Sequence, residues 1–240
     1  MHDPLREIDS PFVIRAEHLG RYLFASRICK MNKIETVYDI ACGNGYGVSI
    51  LAKGTRKVIG LDRSREFIDQ AKKHYPGENS EYHPFDANSQ TVSLFMKQKK
   101  LPPADAIVSF ETLEHLINPD QFINQCYENL KKQGLLILSV PNSQFEPKRK
   151  GRSRNKYHLH LFSREKISSL LRKNGFVVKS VYGQPLANFF QHKARFINPI
   201  FEKMTKNNRR LFLLMARLFG GPMTIFSDYS YSIVIVAVKK

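Results

Sequence analysis

Four short apolar runs, TVYDIA (36–41), KVIGLD (57–62), DAIVSF (105–110) and LLILSV (135–140), recur through the first 140 residues, with helix-like stretches between them. Runs this continuous suit strands buried on both faces, and helical spacers between such strands describe a parallel sheet covered on each side. FVVKSVYG (176–183) and YSIVIVAVKK (231–240) extend the rhythm to the end of the chain. The expected fold class is therefore α/β, doubly wound and mostly parallel.

Local signals place the helices. Ser64 precedes a segment carrying Phe67, Ile68 and Ala71 that should stop near Tyr75-Pro76-Gly77. Asn118-Pro119-Asp120 has the order of an N-cap followed by proline at the first helical position, and Gly134 stands where a C′ glycine would close that helix. Ser163 opens REKISSLLRKN, with Gly175 beyond it. AEHLGRYLFASRICK (16–30) reads as one amphipathic helix ahead of the core. Some forty residues separate the last two strands, and NFFQHKARFINPIFEKMTKNNRRLFLLMARLFGG (188–221) has helical character, so a helical insertion is expected there. A chain of 240 residues suits one domain: an N-terminal helical segment (1–30), a core (31–183), the insertion (184–226) and a last strand (227–240).

Charge is unevenly spread. Residues 1–140 hold 18 Lys and Arg against 17 Asp and Glu, whereas residues 141–240 hold 20 against 4. The excess raises the prospect of an anionic partner: nucleic acid, anionic lipid or a phosphorylated substrate. Cys29, Cys42 and Cys126 have no metal-site spacing and fit a reducing cytosol. MHDPLREIDSPF lacks the apolar centre of a secretory signal, and no apolar run is long enough to span a bilayer. A cytoplasmic location is expected, with peripheral membrane contact left open.

The Gly-dense turn DIACGNGYG follows the first core strand, at the sheet edge where doubly wound folds bind ligands. Gly43 and Gly45 permit a tight turn and a close backbone approach. Asp62 ends the next strand 19 residues after Gly43, the range in which a carboxylate accepts both hydroxyls of a ribose. The glycines read G-x-G-x-G, not the G-x-G-x-x-G of pyrophosphate turns, and Asp39 nearby suits a cationic ligand. A nucleoside without a pyrophosphate fits best.

These segments together resemble the class I S-adenosylmethionine-dependent methyltransferases. VYDIACGNGYG is similar to their first motif, VIGLDRS to the acidic ribose-binding strand end and HPFDANS to the adenine-contacting segment. DAIVSFETLEHL and LKKQGLLILSVPN resemble the fourth- and fifth-strand motifs, and the likeness covers roughly residues 30–180. The resemblance implies a seven-stranded sheet, S-adenosylmethionine as cofactor, and a binding set of Asp39, Gly43, Gly45, Tyr46, Asp62, Arg63, Asp86, Ala87 and Ser109. EHLGRYLFA with ACGNGYG further resembles a subgroup that methylates sugars, polysaccharides and small metabolites.

Methyl transfer to a hydroxyl needs a positioned acceptor and a group to take its proton. Glu111, Glu114 and His115 follow the fourth strand, and on a helix their spacing would put them on one face. His158 and His160 complete the catalytic candidates. A divalent metal is not part of the expected set, although two carboxylates and an imidazole so placed suit one if His158 or His160 adds a ligand. E-x-x-E-H with a later histidine also resembles metal-dependent 2′-O-methyltransferases of small-RNA ends, and E-x-x-E-H recurs in quinone-type O-methyltransferases.

Residues 148–156 pack six Lys or Arg into nine positions just ahead of His158 and His160. Following the fifth strand, this run should overhang the cofactor edge as a substrate lid that favours an anionic acceptor. The 188–221 segment mixes seven Lys and Arg with six Phe and has Glu202 as its only acid. It reads as a pocket roof or a membrane-facing surface, with RNA third because no common RNA-module motif appears. The leading expectation is O-methylation of a small-molecule, glycan or lipid-linked acceptor. RNA 2′-O-methylation, or a cofactor-binding scaffold without catalysis, are the alternatives.

Overall fold

The computed structural model describes residues 3–6, 11–146, 148–149, 151–184, 198–206, 208–222 and 230–240. Seven strands form one sheet: β1 (Thr36–Ile40), β2 (Lys57–Asp62), β3 (Ser80–Pro84), β4 (Ala104–Phe110), β5 (Leu130–Pro141), β8 (Phe176–Gln184) and β9 (Ser232–Lys239). Their order is β3-β2-β1-β4-β5-β9-β8. β9 runs antiparallel to both neighbours, and the other pairings are parallel. The chain order reverses between β1 and β4, which opens a crevice at the carboxyl ends of those strands. A small hairpin, β6 (Lys148–Arg149) with β7 (Arg152–Ser153), lies in the basic run.

Alternate residues of each strand feed two cores, as a period of two requires. Val37, Val58, Val108 and Ile137 pack on one face with Phe12, Leu19, Leu51 and Phe212. Tyr38, Ile59, Ile107 and Leu136 pack on the other with Phe95, Ile123 and Leu171. The helices flanking the sheet are α1 (Phe12–Met31), α2 (Tyr46–Leu51), α3 (Arg65–His74), α4 (Val92–Lys99), α5 (Pro119–Asn129), α6 (Arg164–Lys173), α7 (Asn198–Lys206) and α8 (Arg209–Phe219). The expected doubly wound α/β architecture is what forms.

The caps form where their residues stand. Ser64, Asn118 and Ser163 each accept the backbone N–H three residues on, from Phe67, Gln121 and Lys166. Gly134 is different. α5 stops at Asn129, and Leu130 already pairs with Ala104 of β4, so Gly134 lies inside β5 rather than at a helix end. Gln133 at φ 62° lies in the irregularity between the Ala104–Leu130 and Ala106–Leu135 pairings, across which the register shifts.

α1 begins earlier than its sequence pattern suggests and buries charged groups. Arg15, Glu17 and Arg21 are all inaccessible. Arg15 donates to the Pro4 carbonyl and stacks on the Phe212 ring at 4.2 Å. The simple amphipathic reading fails because α7 and α8 cover the flank of α1 that would otherwise meet water. Residues 185–197, 207 and 223–226 of the expected insertion, and 227–229 of the expected last strand, lie outside the described residues.

Candidate active site

β1 leaves the sheet through Ala41 at φ 68°, and Gly43 and Gly45 follow at 56° and 86°. This left-handed run turns the chain into α2. Asp62 fastens the turn from β2: its Oδ2 accepts the Gly43 N–H at 2.8 Å and its Oδ1 accepts that of Ser64 at 2.9 Å. Gly45 serves packing more than ligand approach, because a Cβ there would stand 2.6 Å from that of Ala71.

A cleft of about 690 Å³ opens beside the turn. Asp62, Arg63, Asp86 and Ala87 line one wall, and Glu111, Thr112, His115 and Tyr157 line the other. Six of the residues singled out in the sequence therefore meet here. Others sit behind the walls. Tyr46 is buried and edge-on to Tyr22, so its ring is core rather than cleft. Ser109 is also buried and ties β4 to β1 by donating to the Ile40 carbonyl.

Asp39 lies below the turn, fully buried. Tyr22 donates to its Oδ1 at 3.2 Å, while its Oδ2 has no partner among the described residues. Burial pushes this carboxyl up to about 8; the Tyr22 bond lowers it and the Asp62 charge raises it further. The Asn44 Oδ1 is likewise buried without a partner. Unsatisfied oxygens at such a turn are costly unless a ligand uses them. A cationic amino-acid group would use them, and Asp62 can accept further hydrogen bonds from ribose hydroxyls. The residues present thus fit S-adenosylmethionine.

Past β4 the expected helical face does not form. Glu111 adopts φ 49°, and a single 3₁₀ turn covers Leu113–His115. Glu111 swings away from its neighbours: its Oε1 accepts the Ser139 hydroxyl at 2.7 Å and stands 3.6 Å from Arg21 Nη1. Glu114 points inward; among the described residues neither carboxyl oxygen is hydrogen-bonded, and Oε1 stands 3.7 Å from His115 Nε2. Burial first, then the Glu111 charge, drives its pKa well above the carboxylate range.

The segment after the basic hairpin docks on this turn. His115 Nδ1 pairs with the Tyr157 carbonyl at 2.8 Å, the Leu159 N–H donates to the Glu114 carbonyl, and His160 Nε2 pairs with that of Leu116. His158 Nδ1 meets Glu146 Oε1 at 2.5 Å, and Ser153 donates to the same oxygen. A carbonyl can only accept, so His115 carries its proton on Nδ1 and keeps a lone pair on Nε2. Burial lowers its pKa, partly offset by the Tyr157 bond and reinforced by His158. One ligand atom from each of Glu114, His115 and His158 lies within 4.8 Å of the others, a spacing that could hold a cation. Glu111 and His160 stand outside that group.

The family model for a methyltransferase domain matches residues 17–181. The chain belongs to the methyltransferase domain family. Curated relatives include a protein of Mycolicibacterium smegmatis named a probable S-adenosylmethionine-dependent methyltransferase. It is 29% identical over 150 residues, covering 61% of this chain and 54% of that protein. Another is a ubiquinone biosynthesis O-methyltransferase of Coxiella burnetii, 33% identical over 110 residues, 46% of this chain and 45% of that one. The match therefore spans about half the length of each. Among solved structures, a S-adenosylmethionine-dependent methyltransferase from Clostridium acetobutylicum aligns with a TM-score of 0.60 at 12% identity over 91% of each chain. One from Mesorhizobium loti gives 0.57 at 16%, over 90% of this chain and 96% of that one. At these identities the likeness shows the methyltransferase fold.

The site of this methyltransferase-family chain also contains residues that the sequence did not single out. Tyr157, Lys156 and Leu159 could have been found, because they adjoin the two flagged histidines. His18, Tyr22 and Glu146 could not, since each meets the site through a long-range contact with no local signature.

Proposed function

We propose that this chain is a S-adenosylmethionine-dependent O-methyltransferase acting on a small-molecule, glycan or lipid-linked acceptor. One observation carries the reading: a single cleft has the ribose-type carboxylate Asp62 on one wall and the neutral imidazole of His115 on the other. Asp62 would hold the ribose, Asp39 and Asn44 the charged amino-acid end, and Asp86 with Ala87 the base. When bound, S-adenosylmethionine supplies an electrophilic methyl group on a sulfonium sulfur. The acceptor then lies against Glu111, Thr112, His115 and Tyr157. His115 Nε2 takes the hydroxyl proton, and Arg21 with Ser139 fixes the Glu111 carboxylate on the cleft wall. The O-methyltransferase named among the relatives supports oxygen as the methylated atom.

Calorimetry with S-adenosylmethionine, followed by labelling of fractionated extracts with radioactive methyl, tests the reading. Binding should be lost in Asp62→Ala, and a low-molecular-weight or lipid fraction should take up label. No binding, or binding untouched by Asp62→Ala, would remove the cofactor assignment. Binding without labelling of any fraction would favour the scaffold.

A second reading is RNA 2′-O-methylation assisted by a divalent ion, favoured by the spacing of Glu114, His115 and His158. Both imidazoles already engage Nδ1, as metal-ligating histidines do. Chelator-sensitive labelling of RNA would select it.

A further inference from the structure

We infer that the outer face of α7 and α8 is a docking surface for an anionic lipid bilayer. Ile200 and Met204 on α7, and Leu214, Leu218 and Phe219 on α8, are 45–57% exposed. They fall into helical stripes with cations between them. Ile200, Lys203 and Met204 share one face of α7, and Arg210, Leu214, Arg217 and Leu218 share one face of α8, at three- and four-residue spacings. The opposite faces hold the pair to the protein: Phe201 stacks on Phe12, and Phe212 and Ala216 are buried.

Charge says what covers the face. The only acid on either helix, Glu202, turns inward and accepts the Phe12 N–H at 2.7 Å, at the start of α1. Lys203, Arg210 and Arg217 are exposed and form no ion pair among the described residues. Among the described residues the face is left cationic and apolar with no carboxylate on it. A second copy of the same face would set arginine against arginine. A nucleic acid would use the cations but not the aliphatic side chains, since base recognition relies on aromatic planes. A bilayer with anionic headgroups uses both: the cations meet phosphates while Leu214, Leu218, Ile200 and Met204 enter the acyl boundary. No helix among the described residues is long and apolar enough to cross a membrane, so the contact is to the surface.

α8 is fixed to α1, whose other side borders the cleft. Gly220, at the end of α8, packs against the backbone of α1 at Ala16 and Gly20 so closely that a Cβ on either glycine would collide. His18, between those two α1 residues and on the opposite side of the helix, lines the cleft. α1 thus stands between the docking surface and the site. A lipid-borne acceptor fits that arrangement, a step that rests on the methyltransferase reading, whereas the docking surface does not.

Flotation of the full chain with vesicles, without cofactor, tests the surface. Protein should float with phosphatidylcholine vesicles containing phosphatidylglycerol, and far less with phosphatidylcholine alone. A Leu214→Gln/Leu218→Gln variant keeps every charge and should partition about tenfold more weakly or worse. Arg210→Gln/Arg217→Gln should lose the preference for anionic vesicles. Thermal melts of both variants should match wild type, because the replaced side chains are exposed. Failure of the wild-type protein to float would overturn the proposal. So would wild-type partition by the leucine variant, which would assign the attraction to charge elsewhere, such as residues 148–156. Vesicle binding that persists when no methyl transfer is found would leave the surface standing and remove only the lipid-borne acceptor.

Discussion

Arg21 of α1 and Glu111 at the end of β4 face each other at 3.6 Å, and Arg21 does not hold Glu111 alone. The same guanidinium donates to Gln184 Oε1 at 2.8 Å and to Ser232 Oγ at 3.3 Å. Gln184 Nε2 in turn donates to the carbonyls of Glu17 and Gly220. A buried polar path thus runs from the end of α8, through β8 and α1, to a carboxylate on the cleft wall. Apart from the Arg21–Glu111 ion pair, every link is a hydrogen bond in a low-dielectric interior, where leaving a donor or acceptor unmade is costly.

Arg21→Met should therefore act on both stability and the site. It strands Gln184 Oε1 and releases Glu111, whose backbone at φ 49° already lies in an uncommon conformation. Chemical denaturation should show a loss of about 1–3 kcal/mol. Acceptor turnover should fall while S-adenosylmethionine affinity, set on the opposite wall, changes little. Equal loss of cofactor affinity would mean that the path supports the whole edge rather than Glu111.

Asp39 gives a pH prediction. Its carboxyl sits at about 8 in the folded protein against an ordinary 3.8, so the folded state keeps a proton that the unfolded chain releases. The stability attached to that proton is complete below about pH 4 and is lost as pH rises through about 8. Asp39→Asn keeps an acceptor for the Tyr22 hydroxyl but has no charge to bury. Its melting temperature should fall less than that of wild type between pH 5 and pH 8.5, conditions chosen roughly to bracket the shift. S-adenosylmethionine affinity should drop about tenfold or more, because Asp39 can release its proton to meet a bound cation and an amide cannot become charged.

The features legible in the sequence are local ones. Strand runs, the caps at Ser64, Asn118 and Ser163, and the turn at Gly43–Gly45 depend on neighbouring residues, so their spacing alone predicts them. The illegible features depend on partners distant in the chain. Gly134 looked like a helix end until β4 claimed Leu130. Glu111, Glu114 and His115 have helical spacing, yet the left-handed residue at 111 sends one carboxylate to Arg21 and another into the interior. Of the described residues of the basic run only Lys156, its last, lines the cleft, followed by Tyr157. The grip of Glu146 on His158 across twelve positions had no signal.

Gly45→Ala separates the glycine's packing role from any contact with cofactor. Its φ of 86° disfavours a side chain, and the added Cβ would meet Ala71 at 2.6 Å and Tyr82 at 3.0 Å. Neither neighbour can retreat without moving α3 or β3. Destabilisation of about 1–3 kcal/mol is expected from strain and overpacking. A melt unchanged from wild type would mean that the turn yields freely.

His115 and Glu146 should separate chemistry from positioning. His115→Gln retains a donor for the Tyr157 carbonyl but has no imidazole to take a proton, so kcat should fall about 100-fold or more with cofactor affinity preserved. In the wild-type enzyme kcat/KM should rise with pH and level off, because protonation of Nε2 removes the base. The ascending limb should lie below the usual imidazole range, since burial depresses this histidine. It should vanish in His115→Gln. Glu146→Gln acts one step back. It weakens the hold on His158 and Ser153, and so on the segment that gives His115 its Tyr157 carbonyl. Its expected signature is a raised KM for acceptor and a smaller loss in kcat, with the pH limb retained but displaced. Loss of the limb in Glu146→Gln as well would move the base from His115 to His158.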